Sequence, residues 1–445
     1  MILLILPPYP SNSIDKKSML FAENSAPPLG LGYLSAYLEK FGGYETAIAD
    51  LRLLNDDGVL SKLEIEEKIK ELIDRYNPRI IGISSTTQVY NNVKIIVQFI
   101  KNNYPEIILV AGGVHPTFTA NDCLDDGFDF VVRFEGEKTT LELVDYILKG
   151  TGNIKEIKNV VYKNNGRVVA NSLRPLETDL DSIPFPNRKK FEMGKYIQKG
   201  ALVSSRGCPM KCIFCSCGAL SGNNWRTRSV ENILKEIEEL IKEYNVDEFF
   251  FHDDTFTFDN KRVRNICSEI IKRNLSIKWG CQARVDSVSK ELLKLMYDAG
   301  CRAIQFGVES GNQGILNKIN KNITLDMVRS AVKNVKLVGI DYITCSFIIG
   351  HPEDDEETIL DTINFMFELG DLGANTPVSI LTPFPGTEVY NNSKKYGIKF
   401  FNKSWSEALF GRINLETKNL SKEKLEELYD LALSVLVRKK LKNNC

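Results

Sequence analysis

A chain of 445 residues is too long for one ordinary core and predicts two domains plus an extension. Hydrophobic residues at 43% and charged residues at 26% suit a globular chain, and a net charge of −1 gives no electrostatic reason to expect nucleic acid or an acidic membrane surface as partner. Ten cysteines without a paired framework, and an apolar start, Met1–Leu6, halted by Pro7-Pro8 with no basic segment before it, argue against a disulfide scaffold, a secretion signal and a membrane span; the expected setting is the reducing cytoplasm.

The first part alternates apolar runs with helical patterns. Strands are expected at Ile2–Leu6, Tyr44–Leu51, Ile80–Ser84, Ile107–Ala111 and Phe128–Val132, and helices at Leu31–Phe41, Ile65–Tyr76 and Asn91–Asn103. Continuous buried strands separated by helices predict a doubly wound parallel α/β sheet, whose ligands sit beyond the strands' C-terminal ends. Val160–Lys163 and Arg167–Ala170 flank Asn164-Asn165-Gly166 and read as a hairpin. Pro175, Pro184 and Pro186 then mark an extended linker.

From Ala201 the alternation restarts. Strands are expected at Ala201–Ser205, Glu248–Phe251, Ile277–Cys281, Ala303–Val308, Tyr342–Ile349 and Pro377–Leu381. Helices fall between them at Ser229–Tyr244, Lys261–Arg273, Lys290–Ala299, Leu325–Leu337 and Glu356–Leu369, with Ser229 and Thr324 as N-caps. Six βα units suit a partial (β/α)6 barrel with its site at the strands' C-terminal mouth. A last helix, Ser421–Leu441, reads equally as a lid, a packing element or a partner surface.

The densest chemistry lies just after the first strand of this second half. Cys208, Cys212 and Cys215 place three thiolates within eight residues, which suits three corners of an iron–sulfur cubane and leaves the fourth iron open. Zinc with Cys217 as fourth ligand is the competing reading, and the Cys215-x-Cys217 spacing is short for it. Other strand ends carry His252, Asp253 and Asp254, then Arg284, then Glu309 and Ser310, then Gly350 and His351. A buried glutamate at such an end needs a donor, which an amino or hydroxyl ligand would supply. Arg284 is suited to a carboxylate, whether a ligand's, that of Asp286 or that of Glu309. The competing reading of each is a solvated turn, a cap or a structural ion pair.

The cysteine triad, with Phe214 before its last member, resembles the signature of the radical S-adenosylmethionine (SAM) superfamily. The resemblance implies a [4Fe–4S] cluster on Cys208, Cys212 and Cys215, whose open iron binds the amino and carboxylate groups of SAM. One electron then cleaves SAM to a 5′-deoxyadenosyl radical. It further implies SAM contacts from Phe214, His252, Asp254, Arg284, Glu309, Ser310 and Gly350, where the missing side chain lets the nucleoside approach.

Three phrases of the first half resemble the cobalamin-binding domain fused to one radical SAM subclass: Pro27–Leu34, Gly82–Thr86 and Ala111–Pro116. They imply cobalamin contacts from Ser84, Ser85, Gly112, Gly113 and His115. Two departures stand out. The Asp-x-His-x-x-Gly motif that supplies an axial histidine to cobalt is absent, Pro7–Pro10 standing in its place, and Phe134 stands where relatives usually have glycine. The expected organisation is a Rossmann-like cobalamin-binding domain (1–153), a hairpin and linker (154–198), a radical SAM partial barrel (199–400) and a helical extension (401–445). The expected activity is cobalamin-dependent methylation of an unactivated carbon on a small-molecule or lipid substrate, with ferredoxin or flavodoxin as electron donor. A non-methylating rearrangement, cyclisation or dehydration on the same architecture is the alternative. Methylthio transfer fits poorly, because the first half has only Cys123 and the tail lacks a basic β-domain.

Overall fold

The computed structural model describes residues 1–10, 26–55, 58–401 and 413–443, with side chains to residue 434. Residues 402–412 and 444–445 of the expected extension lie outside the described residues. The chain divides into two compact units whose boundary in sequence falls between Lys199 and Gly200.

The first unit is built on a seven-stranded sheet of order β2-β1-β3-β4-β5-β6-β7. Its strands are β1 (Ile2–Leu6), β2 (Thr46–Asp50), β3 (Ile80–Ser84), β4 (Ile108–Gly112), β5 (Phe130–Val132), β6 (Val160–Asn164) and β7 (Arg167–Ala170). The first five are parallel, and the hairpin β6–β7 adds antiparallel beside β5. That hairpin is therefore part of the sheet, and it and the segment to Lys199 belong to the first compact unit. Its turn is fixed by Asn165 (φ 49°) and Gly166 (φ 76°), the two left-handed residues that a tight hairpin of matching twist requires.

Among the described residues, six α-helices complete this unit: α1 (Leu29–Gly42), α2 (Lys62–Tyr76), α3 (Tyr90–Asn103), α4 (Val114–Phe118), α5 (Ala120–Asp125) and α6 (Glu137–Lys149). The sheet buries both faces, which is why its strands read as continuous apolar runs. Leu3 and Ile5 point into one core with Ile65, Ile69, Val93 and Ile96, while Ile2 and Leu4 point into the other with Leu38 and Leu143.

The second unit holds an open six-stranded parallel sheet of order β15-β14-β13-β12-β11-β8. In chain order its strands are β8 (Gly200–Leu202), the short antiparallel pair β9 (Ser205–Arg206) and β10 (Arg226–Thr227), β11 (Glu248–Phe251), β12 (Lys278–Ala283), β13 (Cys301–Glu309), β14 (Tyr342–Ile349) and β15 (Val378–Ile380). A second small pair, β16 (Lys399–Phe400) and β17 (Leu415–Glu416), follows. The helices are α7 (Cys217–Ser221), α8 (Val230–Tyr244), α9 (Asn260–Lys272), α10 (Lys290–Asp298), α11 (Gln313–Lys318), α12 (Leu325–Val338), α13 (Glu356–Asp371), α14 (Glu388–Asn391) and α15 (Lys422–Asn443). Ser229 and Thr324 cap α8 and α12 through their side chains, accepting from Asn232 N and Met327 N.

The C-terminal helix is a packing element. Leu425, Leu428 and Ala432 enter the same core as the barrel strands. Lys424 pairs with Glu356 at 2.8 Å and Lys418 with Glu353 at 2.9 Å, fixing this segment to the start of α13. Among the described residues no helix is long and apolar enough to cross a membrane.

Candidate active site

The three cysteines follow the end of β8, at the C-terminal mouth of the barrel. The loop is positioned by neighbouring carboxylates. Asp253, at the end of β11 and almost wholly buried, accepts from Ser204 N at 2.7 Å, Ser204 Oγ at 2.6 Å and Ser205 Oγ at 2.5 Å. Asp254 accepts from Gly207 N at 3.2 Å. Gly207 itself has φ 90°, and a Cβ there would lie 2.1 Å from the Asn224 carbonyl oxygen, so only glycine makes this turn into Cys208. Asp253 is thus a structural tether, whereas Asp254 is exposed and borders Cys208 and Cys217.

The thiols differ by environment. A hydrogen bond from the Cys217 thiol holds Cys208 below the ordinary thiol range, while desolvation by the surrounding loop raises Cys215, which keeps surface exposure, and Cys212. Cys212 Sγ lies 3.7 Å from the Asn320 carbonyl, and Cys217 N donates to Cys215 Sγ at 3.4 Å. Among the described residues no three Cys, His, Asp or Glu side chains converge as single-ion ligands. In a cubane each thiolate is carried on a separate iron, and ligation to iron would deprotonate the thiols.

Opposite the loop, Glu309 closes β13 with φ 77° at an irregularity in the register between Gly307 and Glu309. Its carboxylate has a protein donor: Lys321 Nζ at 2.8 Å, both side chains only 10% exposed. The donor expected from a ligand is therefore already supplied by the chain. Gly307 makes room for the pair, since a Cβ there would fall 2.4 Å from Glu309 Oε1. Sequence reasoning missed Lys321; its faint signal is the flanking Asn320 and Asn322, both left-handed, which turn the backbone to aim the lysine inward.

The other strand-end residues have partners of their own. Arg284 forms a two-pronged pair with Asp286 (2.9 and 2.8 Å) and donates to the Lys321 carbonyl at 3.0 Å, so two of its nitrogens are committed within the protein. The buried Ser310 hydroxyl meets Thr362 Oγ1 at 3.2 Å and accepts from Asn312 N at 3.1 Å, stapling β13 to α13 instead of facing open space. His252 lies exposed at the end of β11, its ring 4.9 Å from Phe250. Gly350 has φ 82° at the end of β14. The next residue, His351, is fully buried with its ring 5.6 Å from Phe214, and burial lowers it to about 4, so it is neutral.

In the first unit the ligand edge is equally specific. Strand order β2-β1-β3 places the topological switch point between β1 and β3. A cavity of about 330 Å³ opens there, lined by Leu6, Arg52, Ser84, Ala26, Pro27 and Pro28 before α1, and Gly30 and Leu31 in its first turn. Gly113 (φ 98°) runs flat against β3; a Cβ would lie 2.7 Å from Ser85 O and 3.0 Å from Ser84 Oγ. Ser85 Oγ is buried without a hydrogen-bond partner among the described residues. An orphaned hydroxyl beside a backbone cradle is what a polar nucleotide tail would complete. His115 departs from expectation: it is fully buried, its Nδ1 lies 3.1 Å from Thr87 Oγ1 and its ring 4.0 Å from Tyr90. Burial pulls it down to about 3, and it serves the core rather than the ligand edge.

A cysteine-loop barrel joined to a corrinoid-type sheet defines a class of radical enzyme, and comparison with known proteins agrees. The Radical SAM superfamily model matches residues 202–366 and the B12 binding domain model residues 19–144. The chain is 35% identical over 395 residues to the uncharacterized methyltransferase PH0819 of Pyrococcus horikoshii, covering 87% of this chain and 82% of that one. It is 31% identical to an anaerobic magnesium-protoporphyrin IX monomethyl ester cyclase of Rubrivivax gelatinosus, covering 82% of this chain and 66% of the relative. It is 29% identical to the cytidylyl-2-hydroxyethylphosphonate methyltransferase of Streptomyces wedmorensis (73% and 69%). The fold matches the radical SAM methyltransferase TsrM of Kitasatospora setae, with cobalamin and [4Fe–4S] cluster bound, at TM-score 0.74 and 16% identity over 98% of this chain and 88% of that one.

The chain belongs to the radical SAM superfamily, in the group that carries a B12 binding domain. It is an enzyme, and its cofactors are a [4Fe–4S] cluster, SAM and cobalamin.

Proposed function

We propose that this enzyme is a cobalamin-dependent C-methyltransferase acting on an unactivated carbon of a small-molecule or lipid substrate. One pairing of features supports the reading: a loop of three cysteines follows β8 in the second unit, and a buried Ser85 hydroxyl with no hydrogen-bond partner among the described residues stands beside Gly113 at the strand ends of the first. The 35% identity to a chain named a methyltransferase supports it. When bound, the cluster supplies the electron that cleaves SAM, and cobalamin supplies a carrier for the methyl group.

The residues divide the remaining work. Cys208, Cys212 and Cys215 hold the cluster and leave one iron for SAM. Glu309 and Lys321, paired with one another, bear electrostatically on Cys212, and a zwitterionic amino-acid head would bind there by exchanging into that pair. Phe214, its ring 5.6 Å from that of His351, offers an apolar face to the nucleoside. Ser84, Ser85, Gly112 and Gly113 hold the corrinoid tail, and ferredoxin or flavodoxin delivers the electron.

The test is an anaerobic assay of reconstituted enzyme with methyl-labelled SAM and a metabolite extract. A methyltransferase yields S-adenosylhomocysteine and 5′-deoxyadenosine together, with label in a product heavier by one methylene. Deoxyadenosine alone, with an unlabelled product, would instead favour a cyclisation or rearrangement, a reading prompted by the 31% identity to a cyclase.

A further inference from the structure

Ten non-glycine residues among those described adopt positive φ, and eight are asparagines, which tolerate the left-handed region. The other two are Glu309, already placed in the barrel mouth, and Phe134 (φ 60°). A bulky aromatic in this conformation is strained in a way glycine would not be. Such strain persists where the surrounding structure imposes it, often at ligand sites.

Phe134 follows β5 and so stands on the same sheet edge as Gly112, Gly113 and Ser85. Its N–H donates to Thr117 Oγ1 at 3.0 Å, and that hydroxyl donates to the Gly113 carbonyl at 2.8 Å, which locks the residue to the glycine turn. Its half-buried ring meets Phe118, at the end of α4, edge to face with centroids 6.5 Å apart. The Arg133 guanidinium lies 6.0 Å from the Phe134 centroid. Arg133 Nη2 reaches the Asn171 carbonyl at 3.0 Å, while its Nε is buried without an acceptor among the described residues. Burial alone lowers this guanidinium's affinity for its proton, so an incoming anion would be stabilising.

We propose that Phe134 and Phe118 form an aromatic seat for the planar base ending the cobalamin nucleotide tail, with Arg133 facing the tail's phosphodiester. Planar bases bind aromatic side chains by stacking or edge contact, and Gly112, where a Cβ would meet nothing nearer than Val132 O at 3.9 Å, leaves that side of the turn open. This rests on the first unit holding cobalamin. It adds a selectivity: the seat reads the tail, not the corrin ring.

The test titrates full-length protein with hydroxocobalamin and, separately, with cobinamide, which has the corrin ring but no nucleotide, following absorption. Wild type is expected to bind cobalamin about tenfold or more tighter than cobinamide. Phe134→Leu keeps bulk but loses the ring; its cobalamin Kd should rise about tenfold with the cobinamide Kd unchanged, and Phe134→Tyr should restore it. Phe134→Gly should show the same selective loss while its unfolding midpoint holds or rises. Arg133→Gln should show the selectivity too, and an unchanged ratio removes Arg133 from the seat. Wild-type cobalamin affinity in the Leu and Gly variants overturns the proposal, as does an equal loss for both corrinoids. If well-folded wild type binds neither corrinoid, the assignment of the first unit falls with it.

Discussion

Replacing Lys321 by methionine removes a charge and keeps most of the side chain's length. It leaves the Glu309 carboxylate buried at a strand end, with no donor to replace the one 2.8 Å away. Breaking a buried pair by deleting one partner costs about 3–5 kcal/mol, and the residual 10% exposure of both side chains places this one near the lower end, about 3 kcal/mol. The double variant Glu309→Gln/Lys321→Met leaves no bare charge and should recover part of that loss, a coupling of about 2 kcal/mol. Urea unfolding of the four proteins, followed by tryptophan fluorescence, measures the cycle; Trp279 is a buried reporter in the barrel core. The affinity of each cluster-loaded protein for SAM, by equilibrium dialysis, should fall most for Lys321→Met. A loss below about 0.5 kcal/mol in Lys321→Met, or strictly additive single variants, would refute the buried pair and the site built on it.

Three further outcomes are expected. The triple variant Cys208→Ala/Cys212→Ala/Cys215→Ala should lose cluster absorbance and SAM cleavage while its cobalamin Kd stays at the wild-type value. Gly113→Ala forces a Cβ to 2.7 Å from the Ser85 carbonyl at φ 98°; cobalamin binding should be lost and the first unit destabilised by about 1–3 kcal/mol, read by absorption titration and urea unfolding. His115 is a base held near 3 in the folded chain against an ordinary value of about 6.5, so the unfolded chain binds the extra proton and stability falls as pH drops below that value. Between pH 7 and 5 this removes about 2 kcal/mol. His115→Phe should show a correspondingly flatter dependence of its unfolding midpoint on pH, and an equal slope would contradict the burial of that ring.

What was legible in the sequence is what local chemistry determines. Ile80–Ser84 and Tyr342–Ile349 are strands with the expected ends, because β-branched runs bounded by turns leave little choice. The Asn165-Gly166 turn was equally plain. That its hairpin would join the sheet beside β5 was not, since pairing of Phe130 with Tyr162 is non-local. The strand-end positions of the site were readable for the same reason as the strands. The partners were not: Lys321 reaches Glu309 across a turn, and Thr362 claims Ser310 from 52 residues away. For His115 a ligand contact and a structural role were both readable from the sequence, and only the turn at Gly113, which lets α4 bury the ring, separates them.

The two aspartates after β11 show how finely these roles are divided. Asp253 takes three hydrogen bonds from Ser204 and Ser205 and faces Arg262 at 3.8 Å, and Asp254, one residue on, turns to Gly207 and the thiols. The cysteine loop is further tied by Ile213 N to the Ile319 carbonyl at 3.2 Å and by Val389 N to the Ile213 carbonyl at 3.1 Å. None of these bonds uses a cysteine sulfur. These carboxylate and backbone bonds fix much of the loop's path without calling on the cluster-binding sulfurs. For that reason the triple alanine variant should keep the barrel folded, so that loss of SAM cleavage in it reports the missing cluster and not a missing fold.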